Sequence, residues 1–180
     1  MPRLESPDEV LVMAAILGNL DAFEELVLRY RAAVVRLARS IVGDNDGEDV
    51  AQDALLLAFR ALPTIEEPRK FAAWLSAITR HRAFRFQKQS NAHLDRRVGM
   101  DELLLEKIQA LGQPLTESSE NREALERLAE LPDEYALPMR LRFVDEMPVK
   151  RIAAFMGLPL STVKWRLHEG KKLMKDKLGE

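Results

Sequence analysis

Residues 149–178 read VKRIAAFMGLPLSTVKWRLHEGKKLMKDKL, and the reading of this stretch decides the fold class. Val149 to Met156 has the composition of a short helix, and Gly157 is a turn residue. Leu158-Pro159-Leu160-Ser161 then leads into a second helix that Ser161 is expected to cap and that should run to about Leu178. On that helix Val163, Leu167, Gly170 and Met174 fall within about 60° of one another at 100° per residue, a stripe suited to burial, with Gly170 permitting close approach of a neighbour. Ser161, Trp165, His168 and Lys172 point away from the stripe. Lys164 and Lys171 lie on its flank, and Thr162 and Arg166 sit near the helix start. Polar, basic and aromatic groups therefore project where the major groove of a duplex could accept them. Trp165 is the odd member, since an indole opposite a core stripe is expected to pack under a neighbouring helix rather than on DNA.

The same helical character extends backwards through the chain. Leu and Ala supply 49 of 180 residues, Gly and Pro only 17, and no Asn-Gly or Asp-Gly turn separates alternating strands, so sheet classes lose their support. The expected class is all-α. Ser6-Pro7-Asp8-Glu9 reads as a capping box with Pro at the first helical position, and Gly18 as the stop of that helix. Asp21 with Glu24 repeats the start signal, and Phe23, Leu26, Val27, Tyr30, Val34, Leu37 and Ile41 recur at three- and four-residue spacing up to Gly43. A third helix is expected from about Gly47 to Leu62, stopping at Pro63. A fourth should begin near Pro68 and carry Phe71, Trp74, Leu75 and Ile78, with Phe71 and Trp74 both expected in the core. These four make one small domain over residues 1–89. Residues 90–119 read as a linker around one short helix, and residues 120–180 as a second small helical domain in which Pro138 should kink a helix or mark its late start.

Charge is informative here because it is localised. The net of −2 says little, but Arg69, Lys70, Arg80, Arg82, Arg85 and Lys88 make +6 with no acid between Arg69 and Lys88, and residues 150–180 carry a net of +5. Residues 101–134 between these islands carry −7, and a smaller acidic cluster (Asp44, Asp46, Glu48, Asp49, Asp53) precedes the first. Two separate anionic contacts with an acidic spacer are the reading this supports.

Several function classes fall away. The chain has no Cys, which removes disulfides, thiolate metal sites and thiol nucleophiles. His81, His93 and His168 are scattered without metal-ligand spacing, so no metal is expected. There is no Gly-rich phosphate loop and no carboxylate set in an apolar pocket with a partner base, so neither a cofactor nor an enzyme activity is expected. The longest uncharged apolar stretch, Val10 to Leu20, is shorter than the roughly 18 residues a membrane span needs, and Met1 to Pro7 lacks the pattern of a targeting segment. A cytoplasmic protein without membrane insertion is the expectation.

The conjunction of motifs carries more than any one of them. Glu48-Asp49-Val50-Ala51-Gln52-Asp53-Ala54-Leu55-Leu56-Leu57-Ala58-Phe59, then Phe71-Ala72-Ala73-Trp74-Leu75-Ser76-Ala77-Ile78, then Leu131-Pro132, then Ser161-Thr162-Val163-Lys164-Trp165-Arg166-Leu167-His168 follow in this order. The chain resembles a group IV (extracytoplasmic-function, ECF) sigma factor of the sigma-70 family, with residues 21–89 similar to region 2 and 121–177 to region 4. The resemblance implies that Asp49, Gln52, Asp53 and Leu56 dock on core RNA polymerase. It also implies that Ile65, Arg69, Lys70, Arg80, Arg82, Arg85 and Lys88 engage and melt the −10 element, and that the helix from Ser161 to Lys172 reads the −35 element of promoter DNA. An anti-sigma protein is an implied partner. Arg151, His81, Arg85 and Glu169 depart from the family's common pattern. Two further readings remain beside this one: a helix-turn-helix regulator acting without polymerase, and a sigma-like mimic that sequesters an anti-sigma protein.

Overall fold

The structure, a computed structural model, describes residues 5–89, Ile108 and residues 119–178. Most of the expected linker therefore lies outside the described residues, including its short helix at Met100 to Leu111 apart from the buried Ile108. Every described element is helical, and the chain divides into two compact units, Met1–Gln113 and Pro114–Glu180.

In the first unit α1 spans Asp8–Ile16, α2 Leu20–Val42, α3 Asp44–Ala61 and α4 Phe71–Gln89, with short 3₁₀ turns at Leu62–Thr64 and Pro68–Lys70. The helix starts differ from the sequence expectations. Pro7, not Ser6, occupies the position before α1, and no side chain caps that end. Asp8 is instead committed to tertiary contacts: Arg29 Nη1 donates to it at 2.8 Å and the Tyr30 hydroxyl donates to its other oxygen. Burial of the Arg29 guanidinium lowers its pKa, but its bonds to Asp8 and Glu25 outweigh this and leave it above its usual value. Asn19 rather than Asp21 caps α2, accepting from Ala22 N at 3.2 Å. Gly18 and Gly43 both stand at positive φ, as stop residues should.

α2 is the spine of this unit. It buries Phe23, Leu26, Val27, Tyr30, Ala33, Val34, Leu37 and Ala38 against α1, α3 and α4, which all pack on it. Aromatic edges lock the joints: Phe23 meets Phe59 of α3 at 4.9 Å between centroids, and Tyr30 meets Phe71 of α4 at 5.7 Å. α3 begins at Asp44, earlier than the expected Gly47, which is buried inside the helix. A Cβ there would run into Arg39 Cγ and lie 2.9 Å from Arg39 Cα, so glycine is what lets α3 cross α2 at that point.

The second unit comprises α5 (Ser119–Ala129), α6 (Asp133–Phe143), α7 (Val149–Met156) and α8 (Leu160–Leu178). α6 starts at Asp133 and runs on through the buried Pro138, so the late start is not the one taken. Gly157 closes α7 in the left-handed conformation (φ 64°, ψ 32°), with Leu158 N donating to Ala153 O at 3.0 Å. α8 then begins at Leu160, one residue before the expected cap, so Ser161 lies within its first turn rather than in front of it. Val163 and Leu167 face inward, and a Cβ on Gly170 would sit 2.8 Å from Met139 Cγ of α6, the close approach that the sequence anticipates.

Candidate nucleic-acid interface

The surface of the first unit divides around α4. At 100° per residue, Phe71, Leu75 and Arg82 share one arc, and the first two are core residues. Arg82 follows them inward: its Nε and Nη2 donate to Asp53 Oδ2 at 3.1 and 2.5 Å. Two residues expected at different interfaces, Arg82 at DNA and Asp53 at polymerase, are thus partly buried and neutralise each other. Leu56 is the clearest correction. It is 2% exposed and belongs to the core, because α3 packs against both α2 and α4 and its free arc is narrower than spacing alone suggests. Asp49 remains exposed and Gln52 half-buried on that helix.

Another arc of α4 carries Ala73, Trp74, Ala77, His81, Phe84 and Lys88, with Arg85 at its edge, and Lys70 of the preceding turn continues it. Phe84 is 52% exposed, and His81, Arg85 and Lys88 are exposed beside it. Arg80 is half-buried. Trp74 is not in the core as expected. It is half-buried and tilts 37° to Phe71 at 6.0 Å, and it forms one wall of a cavity of about 500 Å³ with Thr64, Ile65, Glu66, Glu67, Lys70 and Ala73. Ile65, expected here, lines that cavity. Arg69 and Lys70 are exposed but engaged, Arg69 Nε with Glu9 at 3.1 Å and Lys70 Nζ with Glu67 at 2.7 Å. Such exposed pairs are worth only about 0–1 kcal/mol and exchange readily for another anion. Phe84 is not named by the sequence reading, and His81 is named there only as a departure from the family pattern and not among the −10 contacts, although a helical wheel places both with Lys88.

On the second unit, α8 turns Ser161, Lys164, Trp165, His168, Lys171 and Lys172 outward. Trp165 is not packed beneath a helix: it is 53% exposed, and its ring lies 6.0 Å from that of Tyr135 on α6. Lys171 Nζ sits 4.8 Å over the Phe143 ring. Thr162, Arg166 and Glu169 are half-buried on the flank, and Arg166 Nε is buried without a hydrogen bond. Partial burial, with Glu134 and Glu169 nearby, raises the Tyr135 phenol above its usual pKa, against an opposing pull from Arg166.

Among the described residues no cluster of three or more His, Asp or Glu could hold a metal ion, and no helix is long and apolar enough to cross a membrane. Two small units each present one outward arc of cations and aromatics, the equipment of a protein that touches nucleic acid at two places.

Comparison with known families agrees with that division. The family model for Sigma-70 region 2 matches residues 26–92 and that for Sigma-70, region 4 matches residues 121–174. The chain belongs to the sigma-70 family, as an ECF sigma factor, and is a transcription initiation factor rather than an enzyme. It is 28% identical to the ECF RNA polymerase sigma factor SigW of Bacillus subtilis (strain 168), over 89% of this chain and 91% of that one. It is 29% identical to the ECF RNA polymerase sigma-E factor of Escherichia coli (strain K12), over 95% and 94%. Among solved structures it is similar to CnrH in complex with the cytosolic domain of CnrY, with a TM-score of 0.57 and 25% identity over 97% of this chain and 98% of CnrH.

Proposed function

We propose that this sigma factor joins core RNA polymerase in the cytoplasm and carries it to promoters by two contacts made by two domains, residues 1–89 and 120–180, with 90–119 as the linker. The single observation that supports the reading best is the placement of one outward cationic and aromatic arc on each unit, α4 in the first and α8 in the second. In the first domain the cavity beside Trp74 has room for one unstacked base, and Glu66 and Glu67 at its rim offer acceptors to an exocyclic amino group. From there Arg80, Arg85 and Lys88 follow the separated −10 strand, with Arg69 and Lys70 at the cavity mouth. Arg82 serves indirectly, by holding α4 to α3 through Asp53. Asp49 and Gln52 are the polymerase-docking residues, with Asp53 at their edge; Leu56 supports them from the core.

In the second domain Ser161, Thr162, Lys164, Trp165, Arg166, His168, Lys171 and Lys172 meet the −35 duplex. Since CnrH is seen with the cytosolic domain of CnrY, an anti-sigma protein is the further partner. Transcription from a genomic promoter library by core polymerase plus this protein tests the reading. New start sites are expected only with both components, and none at any salt concentration overturns it. Gel shift separates the alternatives: tight duplex binding by the protein alone marks a regulator independent of polymerase, and no effect of core polymerase marks a mimic.

A further inference from the structure

Trp165 points directly away from the buried stripe of Val163, Leu167 and Gly170 and stands in the second turn of α8, the part of a recognition helix that reaches base edges. It is also the least suited of the outward residues to lie in water. Just over half of its surface is exposed, and the ring of Tyr135 stands at 6.0 Å and tilted 55°, propping the indole from one side. On one side of it stand Ser161, His168 and Lys172, with Lys164 and Lys171 further round, all exposed, and on the other the half-buried Thr162, Arg166 and Glu169, so the lysines can hold a phosphate backbone along one flank of the indole. An indole at the edge of such a set can offer only one N–H donor and a broad apolar face. The apolar feature that a major groove presents to such a face is the C5-methyl group of thymine.

Resting on the proposal that α8 reads the −35 duplex, we infer that Trp165, braced by Tyr135, selects thymine at one −35 position through its 5-methyl group. The half-buried Arg166, with its Nε already enclosed, is then a flanking phosphate contact rather than the principal base reader.

Replacing thymine by uracil removes that methyl and nothing else, which makes the test specific. The holoenzyme formed from core polymerase and the full chain is assayed on the strongest promoter recovered from the genomic library, with each −35 thymine of either strand changed singly to uracil. One position is expected to lose about fourfold in binding, the worth of one buried methyl-sized group, and the others little. In Trp165→Ala that position becomes indifferent to the methyl, whereas Trp165→Leu keeps an apolar face and part of the preference. Tyr135→Phe, which keeps the prop and removes only the hydroxyl, leaves it unchanged.

If the wild-type holoenzyme tolerates uracil everywhere while a scrambled −35 element still abolishes binding, the inference falls and the −35 reading stands. If scrambling costs nothing, the reading itself falls. Equal weakening of thymine and uracil duplexes in Trp165→Ala, or a −35 element built of G·C pairs alone, also overturns the inference.

Discussion

The two units answer differently to the same sequence feature, a local excess of cations. In the first, Arg82 turns inward to Asp53, while Arg69 and Lys70 find acids on Glu9 and Glu67. In the second, Lys164, Lys171 and Lys172 all stand outward on α8, with a ring rather than a carboxylate beneath Lys171. A charge island on a helix packed between two others is shared between fold and function; on a helix with one buried stripe it is nearly all surface. The first unit should therefore lose stability when altered, and the second should lose recognition.

The largest effect expected from this contrast concerns two glycines, each at a helix crossing. At Gly47 an added methyl meets the backbone of α2 as well as Arg39 Cγ. Backbone cannot step aside, so Gly47→Ala should cost about 3 kcal/mol despite the better helix propensity of Ala. At Gly170 the obstacle is Met139 Cγ and Sδ, a flexible chain that can re-rotamer, so Gly170→Ala should cost about 1 kcal/mol or less. The two tryptophans, one in each unit, report each unfolding separately in Trp→Phe backgrounds under denaturant. Equal losses would remove the contrast.

Next in size is the pair Arg82→Ala and Arg85→Ala. Losing Arg82 leaves Asp53 without its partly buried partner and should lower the stability of the first unit by about 1–2 kcal/mol. Losing the exposed Arg85 should leave stability within about 0.5 kcal/mol and slow open-complex formation. A promoter carrying a premelted bubble should then rescue Arg85→Ala. If Arg82→Ala is as stable as wild type and is likewise rescued, Arg82 belongs to the strand-contacting set after all.

A smaller effect separates surface cations by their freedom. If Lys172 meets a phosphate as proposed, Lys172→Ala should reduce the salt dependence of −35 duplex binding by about one counterion. Arg69→Ala should change the salt dependence of the −10 contact by less, because Arg69 must first leave Glu9. Binding of the holoenzyme across a salt series measures both slopes, and a steeper loss for Arg69 would reverse the ranking.

What the sequence made legible follows from periodicity. The helical class, the turn at Gly157, the stop residues Gly18 and Gly43 and the Val163–Leu167–Gly170 stripe all rest on spacing or on φ, and all stand. Arg82 was assigned to DNA and turns inward to Asp53 instead, although the wheel that puts it on one arc with Phe71 and Leu75 carried the signal. Leu56 was not legible, because its burial depends on α3 packing against two other helices, which no local pattern marks. The cap read at Ser6 went astray for a related reason: Arg29 of the next helix takes the Ser6 carbonyl and, with Tyr30, the Asp8 carboxylate, and the helix starts after Pro7 instead. Trp165 carries the same lesson in reverse. Its residue type predicts burial, and only the three-dimensional fold leaves it open.

The smallest expected effect is a titration. Tyr135 sits above its ordinary 10.0, through partial burial first and then Glu134 and Glu169, with Arg166 pulling the other way. A phenol with a raised folded-state pKa keeps its proton at a pH where the unfolded chain has lost it. Unfolding then releases a proton, and the stability of the second unit should fall as pH rises above 10.0. Ultraviolet difference titration of Tyr30→Phe, which leaves Tyr135 as the only tyrosine, follows this phenol alone. Glu169→Gln should bring its midpoint down toward the ordinary value, and Arg166→Ala should push it further up. A midpoint unmoved by both changes would mean that Glu169 and Arg166 do not share a field with Tyr135, and that the flank of α8 is electrostatically separate from the aromatic pair beside it.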